Sequence, residues 1–191
     1  MSYLRFDKTL MTNLEESLQR EILRTNKAGA YHCTTIVDCN TRKYHGLLVI
    51  PVPNIDDENH VLLSSLDETV IQHGAEFNLG LHKYQGNNFS PNGHKYIREF
   101  DCEHIPATTY RVGGVILRKE KIFVHHENRI LIVILCWMRI RLRLCASARS
   151  SLSGVYVSTH MKMRRQAASI NLWKMVLKPV CIPDIRNYIC S

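Results

Sequence analysis

At 191 residues, with 45% hydrophobic and 22% charged side chains, the chain has the size and composition of one globular domain, which excludes wholesale disorder. No apolar run approaches the length needed to span a bilayer, so no membrane partner is expected. Asp7, Glu15, Glu16 and Glu21 stand where a secretory leader needs an apolar stretch, so the expected compartment is the cytoplasm. The seven cysteines follow no regular framework and read as reduced thiols.

Charge divides the chain in two. Sixteen of the seventeen acids lie at or before Glu127, where 14 Lys and Arg leave a balance of −2. Residues 128–191 hold 11 basic residues against Asp184 alone, so the overall charge of +8 resides entirely in the last third. Both tryptophans and four of the seven cysteines also lie there, with one of the nine glycines. The composition changes near residue 132.

In chain order, Leu14, Leu18 and Ile22 recur on one face of a predicted helix, with Thr12 and Glu15 spaced as a capping box. Thr25-Asn26-Lys27-Ala28-Gly29 is its expected stop. Strands are predicted at Thr34 to Val37, Gly46 to Pro51, Val61 to Leu66, Thr69 to Gln72 and Val115 to Val124, where apolar and β-branched residues lie between turn formers. Gly113-Gly114 is a two-residue hairpin connection, since both positions tolerate positive φ, and His73-Gly74 is a weaker form of it. Gln85 to Gly93 reads as a long loop. Short strands joined by turns, without alternating helices, predict a mainly β fold: an antiparallel β-sandwich with a short N-terminal helix.

The densest polar cluster, Asn40-Thr41-Arg42-Lys43-Tyr44-His45-Gly46, runs into the apolar strand Leu47-Leu48-Val49-Ile50. Arg42, Tyr44 and His45 offer a fork of donors, a flat ring and a titratable imidazole, which suits sugar hydroxyls and their C–H faces. The competing reading is a turn whose polar groups satisfy nearby backbone. Asp67 and Glu68 are adjacent, so on a strand they face opposite sides and do not form an acid/base pair. One is expected to be buried against an arginine, the other solvated. His32-Cys33, Cys39, His45, Cys102-Glu103-His104 and His125-His126 invite a metal hypothesis, but no close cysteine pair is present and neither metal nor cofactor is expected. Phosphate-loop, dinucleotide and nucleophile-elbow motifs are missing from the sequence.

Thr25-Asn26, Gly29-Ala30-Tyr31, Asn40 to Val49, Leu66-Asp67-Glu68-Thr69, Pro91-Asn92-Gly93, Thr109 to Gly114 and His125-His126-Glu127-Asn128 follow one another in this order. Together, from about residue 14 to residue 132, they resemble the N-terminal domain of the bacterial and archaeal type of glycogen debranching enzyme, the amylo-α-1,6-glucosidase family. The resemblance implies a large supersandwich-like domain, here incomplete, that precedes a catalytic barrel of paired helices. It implies that the full-length enzyme hydrolyses α-1,6 branch points in glycogen-like glucans, with the catalytic carboxylates in the barrel. The expectation for this chain is therefore a noncatalytic domain, residues 1–132, contacting α-glucan through Arg42, Tyr44 and His45 with Asp67 and Glu68 in support. Its partners are then the glucan and the barrel domain.

For the basic tail, residues 133–191, two readings compete. Arg139, Arg141 and Arg143 alternate with Ile140, Leu142 and Leu144 and, with Arg164-Arg165, suggest a nucleic-acid-binding protein acting through its C-terminal third. Sparse aromatic interleaving and the lack of a recognised module argue against nucleic acid as the partner. The other reading is out-of-frame translation. Read one base earlier, the codons of Cys136-Trp137-Met138 force Leu followed by Asp, and their neighbours permit Arg-Tyr-Thr-Leu-Leu-Asp-Ala, a plausible continuation of the strand Arg129 to Ile132. The same offset at Lys178 to Asp184 permits Thr-Cys-Leu-Tyr-Thr-Gly, which again resembles the family. Independent sequencing of the gene is expected to show one base gained or lost near the codon for Val133; an intact frame through Ser191 excludes this reading.

Overall fold

The computed structural model describes residues 4–53, 56–136, 141–147, 155–161 and 171–179. The fold is mainly β and antiparallel, as the turn chemistry predicts. β1 (Leu4–Phe6) leads into two short helices, α1 (Lys8–Thr12) and α2 (Leu14–Ser17). A four-stranded sheet follows, in the order β2 (Glu21–Thr25), β3 (Tyr31–Thr35), β4 (Gly46–Pro51) and β5 (Asn59–Leu63). β6 (Ser65–Gln72) and β7 (Ala75–Asn78) form a hairpin, and β8 (His82–Lys83) with β9 (Phe89–Ser90) forms a small ribbon. The large sheet is built from β10 (Ile97–Cys102), β11 (Pro106–Val112), β12 (Val115–Phe123) and β13 (Ile130–Cys136). β14 (Arg141–Ser147) joins β6, while β15 (Val155–Met161) and β16 (Asn171–Pro179) extend the large sheet beyond β13.

The seven-stranded sheet has the order β1-β10-β11-β12-β13-β16-β15, and the three-stranded sheet the order β14-β6-β7. Their faces meet. Along β12, Val115, Leu117, Lys119 and Lys121 point inward and are buried, following the two-residue period of a strand. β6 lies across them, and the ring of Phe77 on β7 would touch a Cβ placed on Gly113 at 3.0 Å. The core between the layers includes Leu48, Leu63, Val70, Phe100, Tyr110, Leu117 and Ile132, each worth about 1.5–3 kcal/mol when buried.

Both hairpin turns expected from sequence form. Gly113 and Gly114 take φ of 56° and 79° and bring Val112 opposite Val115. His73 and Gly74 take φ of 50° and 80° and bring Gln72 opposite Ala75. β13 runs through the composition change at residue 132: its ladder with β12 continues to Cys136 opposite Leu117, because the alternation of buried and half-buried residues persists from Ile130 to Cys136.

Several element boundaries differ from expectation. The helical stretch divides at Asn13 and ends before Ile22, which lies in β2, paired residue for residue with β3. Apolar residues four apart fit a helix or the same face of a strand, and the ladder with β3 decides between them. Asp7, not Thr12, caps the helix, accepting from the Leu10 amide at 3.2 Å. Thr12 closes α1 by donating back to the Lys8 carbonyl at 2.9 Å. Thr25 to Gly29 is a hairpin turn rather than a helix stop. β3 ends at Thr35, because the chain turns through Asp38 at φ 61°. The expected strand Val61 to Leu66 breaks at Ser64, whose carbonyl accepts from Asn40 at 2.8 Å and from the Leu47 amide at 3.2 Å. The expected loop Gln85 to Gly93 contains β9 and one turn of 3₁₀ helix, and a second turn begins at Gly93.

Gly93 sits where a Cβ would overlap the backbone carbonyl of Leu79, which cannot yield as a flexible side chain can. Gly93→Ala is expected to lower the unfolding free energy by about 3 kcal/mol in urea titration. Gly74→Ala meets no atom within 4 Å and carries only the cost of its φ of 80°, about 1 kcal/mol.

Candidate functional site

Arg42, Tyr44 and His45 converge on one open cleft of about 690 Å³, formed between the exposed face of the β2–β3 hairpin and the loop leading into β4. The hairpin contributes Glu21, Tyr31 and Cys33. Asn26 fixes its turn. Its side-chain oxygen accepts from the amides of Ala28 and Ala30 at 2.8 and 3.0 Å, and its amide donates to the Glu127 carbonyl and Asn128 Oδ1, both at 3.2 Å. Two of the segments that carry the family resemblance are thus joined by one buried side chain.

Inside the cleft, the Arg42 guanidinium donates through Nε to Glu21 at 2.9 Å while remaining largely exposed. His45 is 3% exposed. Its Nδ1 accepts from the Thr41 amide at 3.2 Å, so its proton resides on Nε2, 3.4 Å from the same Glu21 oxygen. That Nε2–H is buried and faces Glu21, its nearest acceptor, without a well-aligned hydrogen bond. Burial pushes the imidazole below its ordinary pKa, and Glu21 only partly offsets this, so His45 is neutral at pH 7. The Tyr44 hydroxyl donates to Glu58 at 3.3 Å, and Lys43 stands 4.8 Å above its ring.

Glu21, Cys33 and His45 present ligand atoms within 4.8 Å of one another, a spacing that a metal ion could use. The chemistry does not fit one. Coordination by Nε2 would move the proton to Nδ1, against the Thr41 amide. Arg42 already occupies the carboxylate, and burial with the Glu21 charge raises the Cys33 thiol above its ordinary pKa.

Asp67 and Glu68 are elsewhere. Both line a small crevice with Asp38, Asn40 and Ser64, separate from the cleft. Asp67 is half-buried and bonded to His82 Nε2 at 2.7 Å. Glu68 is buried, but against a lysine rather than an arginine: Lys119 Nζ lies 2.7 Å from one carboxylate oxygen and 2.9 Å from the other. Lys119 also reaches Asp38 at 3.2 Å, and Lys121 closes on the other Asp38 oxygen. Burial raises Glu68 in pKa despite Lys119. Burial alone would raise Asp38 too, but the two lysines outweigh it and hold that carboxyl far below its ordinary range. Lys119 is raised because Glu68 and Asp38 overcome its burial, while burial wins at Lys121, which is lowered.

These inward lysines were missed from sequence. The parity of β12 contains the signal, since Lys119 and Lys121 share phase with Val115 and Leu117. Cys33, Cys39, Cys102 and Cys136 carry reduced thiols, and burial pushes Cys39 up to about 11. Of the basic residues considered for nucleic acid, Arg143 forms a paired contact with Glu76 at 3.0 and 2.9 Å; Arg139, Arg164 and Arg165 lie outside the described residues.

The structure defines a mainly β domain of antiparallel layers with an open, ligand-sized cleft beside one hairpin. The family described as glycogen debranching enzyme N terminal matches residues 20–160, most of the chain, and the chain belongs to that family. No curated protein and no solved structure matches it. No helix among the described residues is long and apolar enough to cross a membrane.

His32, on β3 beside the buried charges, donates through Nδ1 to the Gly46 carbonyl at 3.1 Å. Burial, reinforced by Lys121, lowers its pKa to about 3. The folded form is neutral, whereas the unfolded imidazole takes up a proton near pH 6.5, so stability is lost as pH falls from about 6.5 towards 3. Urea titrations between pH ~6.5 and ~5 are expected to show His32 contributing a loss of roughly 1.4 kcal/mol per pH unit. His32→Asn, whose amide can replace the Nδ1–H donor, is expected to remove that slope while leaving the responses of Asp38 and Glu68 in place.

Proposed function

We propose that this chain is the noncatalytic, glucan-contacting N-terminal domain of a glycogen debranching enzyme, whose full-length form hydrolyses α-1,6 branch points in the cytoplasm. Residues 1–132 supply the sandwich that docks a helical barrel domain, and the barrel supplies the catalytic carboxylates. The convergence of Arg42, Tyr44 and His45 on one cleft is the observation that carries this reading. An exposed guanidinium, a carboxylate and a tyrosine ring match what a sugar offers: hydroxyl oxygens to accept, hydroxyl hydrogens to donate to Glu21, and C–H faces to rest on a ring.

Noncatalytic character follows from the carboxylates. Glycoside hydrolysis requires a general acid and a second carboxylate flanking one bond, about 5–9.5 Å apart. Among the described residues Glu21 is the acid lining this cleft, and Arg42 holds it; Asp67 and Glu68 are committed to His82 and Lys119. Asp67 and Glu68 therefore act by holding the layers together rather than by touching sugar.

Native gels containing glycogen test the reading. The full chain is expected to be retarded relative to a glycogen-free gel, and Arg42→Ala and Tyr44→Ala are each expected to weaken apparent affinity about tenfold, the equivalent of one lost polar or stacking contact of roughly 1.4 kcal/mol. Unchanged mobility of the wild-type chain at saturating glycogen excludes a glucan surface on this domain.

A further inference from the structure

A second cleft, also about 690 Å³, opens on the opposite element of the chain, where β1 leaves the large sheet. β1 pairs with β10 only as far as Phe6 opposite Phe100. Beyond that point the ladder with β1 ends and the chain passes into α1, which packs against β10. There the β10–β11 register shifts between Ile97 and Glu99, with Arg98 as the extra residue. A bulge of this kind redirects a side chain, and Arg98 is exposed on the cleft wall. Arg111 follows Tyr110, the register partner of Ile97, so the two arginines are diagonal neighbours across the ladder.

Charge in this cleft is not balanced. Arg5 is held by Glu99 at 2.6 Å, and the side chain of Asp7 is committed to the Leu10 amide. Lys8, Lys95, Arg98 and Arg111 line the same space, are exposed, and form no ion pair among the described residues. With Arg5 and Glu99 paired, four cations against the single Asp7 carboxylate leave the concavity net positive, and a bound anion relieves the repulsion among the cations. The remaining wall is aromatic and held in place. Phe6 stacks on Phe100 at 6.3 Å with Arg20 on its ring, and Tyr96 meets Phe77 edge to face at 6.0 Å. The volume suits a small organic molecule rather than a bare ion.

We propose that this cleft binds a small phosphomonoester, its phosphate between Arg98 and Arg111 and its organic ring against Phe6 and Tyr96. Planar guanidinium groups pair with phosphate oxygens through two parallel N–H donors, and Lys8 and Lys95 add point charges at the rim. The site is independent of the sugar cleft, sharing none of its residues.

Equilibrium titration of the full chain with glucose 6-phosphate, adenosine monophosphate, inorganic phosphate and glucose tests the assignment. Saturable one-to-one binding of either ester is expected, at least tenfold tighter than inorganic phosphate and weakened by added salt, with no binding of glucose at this site. The ester that binds more tightly identifies a sugar or a nucleoside as the organic body. Arg98→Ala and Arg111→Ala are each expected to lower ester affinity about tenfold, while the thermal transition and retardation by glycogen stay unchanged. Absence of saturable ester binding, equal affinity for inorganic phosphate, or ester affinity indifferent to both variants would overturn the proposal.

Discussion

The buried pairing of Lys119 with Glu68 and Asp38 is the constraint on which the layered arrangement depends. Lys119 and Lys121 project from β12 into the buried space between the layers, and two carboxylates from different elements meet them there. Glu68 comes from β6 in the facing sheet, and Asp38 from the turn after β3 in the four-stranded sheet. Three sheets are thus held at one point. Removing one member of such a cluster strands a buried charge and costs about 3–5 kcal/mol, far more than the cluster contributes over a well-packed apolar replacement. Its effect is on register. A shift of β6 by one residue would turn Glu68 away from Lys119 and bring Asp67 inward, so the charges distinguish the native pairing from its neighbours in a way that Val and Leu cannot.

Asn26 plays the corresponding part at the edge of the molecule. All of its hydrogen-bonding capacity is spent joining the β2–β3 turn to the His125–Asn128 turn, whose His126 amide also donates to the Asn26 carbonyl at 2.7 Å. The hairpin that bears Glu21, Tyr31 and Cys33 is therefore anchored to the large sheet, and the cleft beside Arg42 stands on a fixed base rather than on a free loop. His45 completes the base from the other side. Its Nδ1 is used by the Thr41 amide, so its orientation and tautomer are set before any ligand arrives. The two clefts then differ in kind: one is lined mostly by apolar atoms around the Glu21–Arg42 pair, the other carries Lys8, Lys95, Arg98 and Arg111 beside an aromatic wall.

Much of the fold was legible because its signals are local. Gly113-Gly114 and His73-Gly74 announce hairpins through backbone conformations that few other residues accept, and both hairpins form where they stand. The Arg42-Lys43-Tyr44-His45 run was legible as a polar cluster leading into a buried strand, and its members do face one space. Legibility failed where two periods coincide or where a partner is distant. Leu14, Leu18 and Ile22 satisfy a helix by spacing, yet Ile22 belongs to a strand because β3 offers it a complete ladder. Asp67 and Glu68 looked alike in sequence, and only their partners, His82 fifteen residues away and Lys119 fifty-one residues away, separate their roles.

Sequence by itself determined the mainly β class, the principal turns, the membership suggested by the ordered motifs and the polar character of the Arg42–His45 loop. Each of these rests on interactions between residues a few positions apart, where side-chain chemistry constrains the backbone directly. Tertiary structure alone decided that Lys119 and Lys121 are buried, that Glu21 and Cys33 join the cleft of Arg42, Tyr44 and His45, and that a second, cationic cleft opens where β1 leaves the sheet. Those outcomes depend on which strand ends up beside which, and that is settled by the summed packing of the layers, not by any residue's own preference.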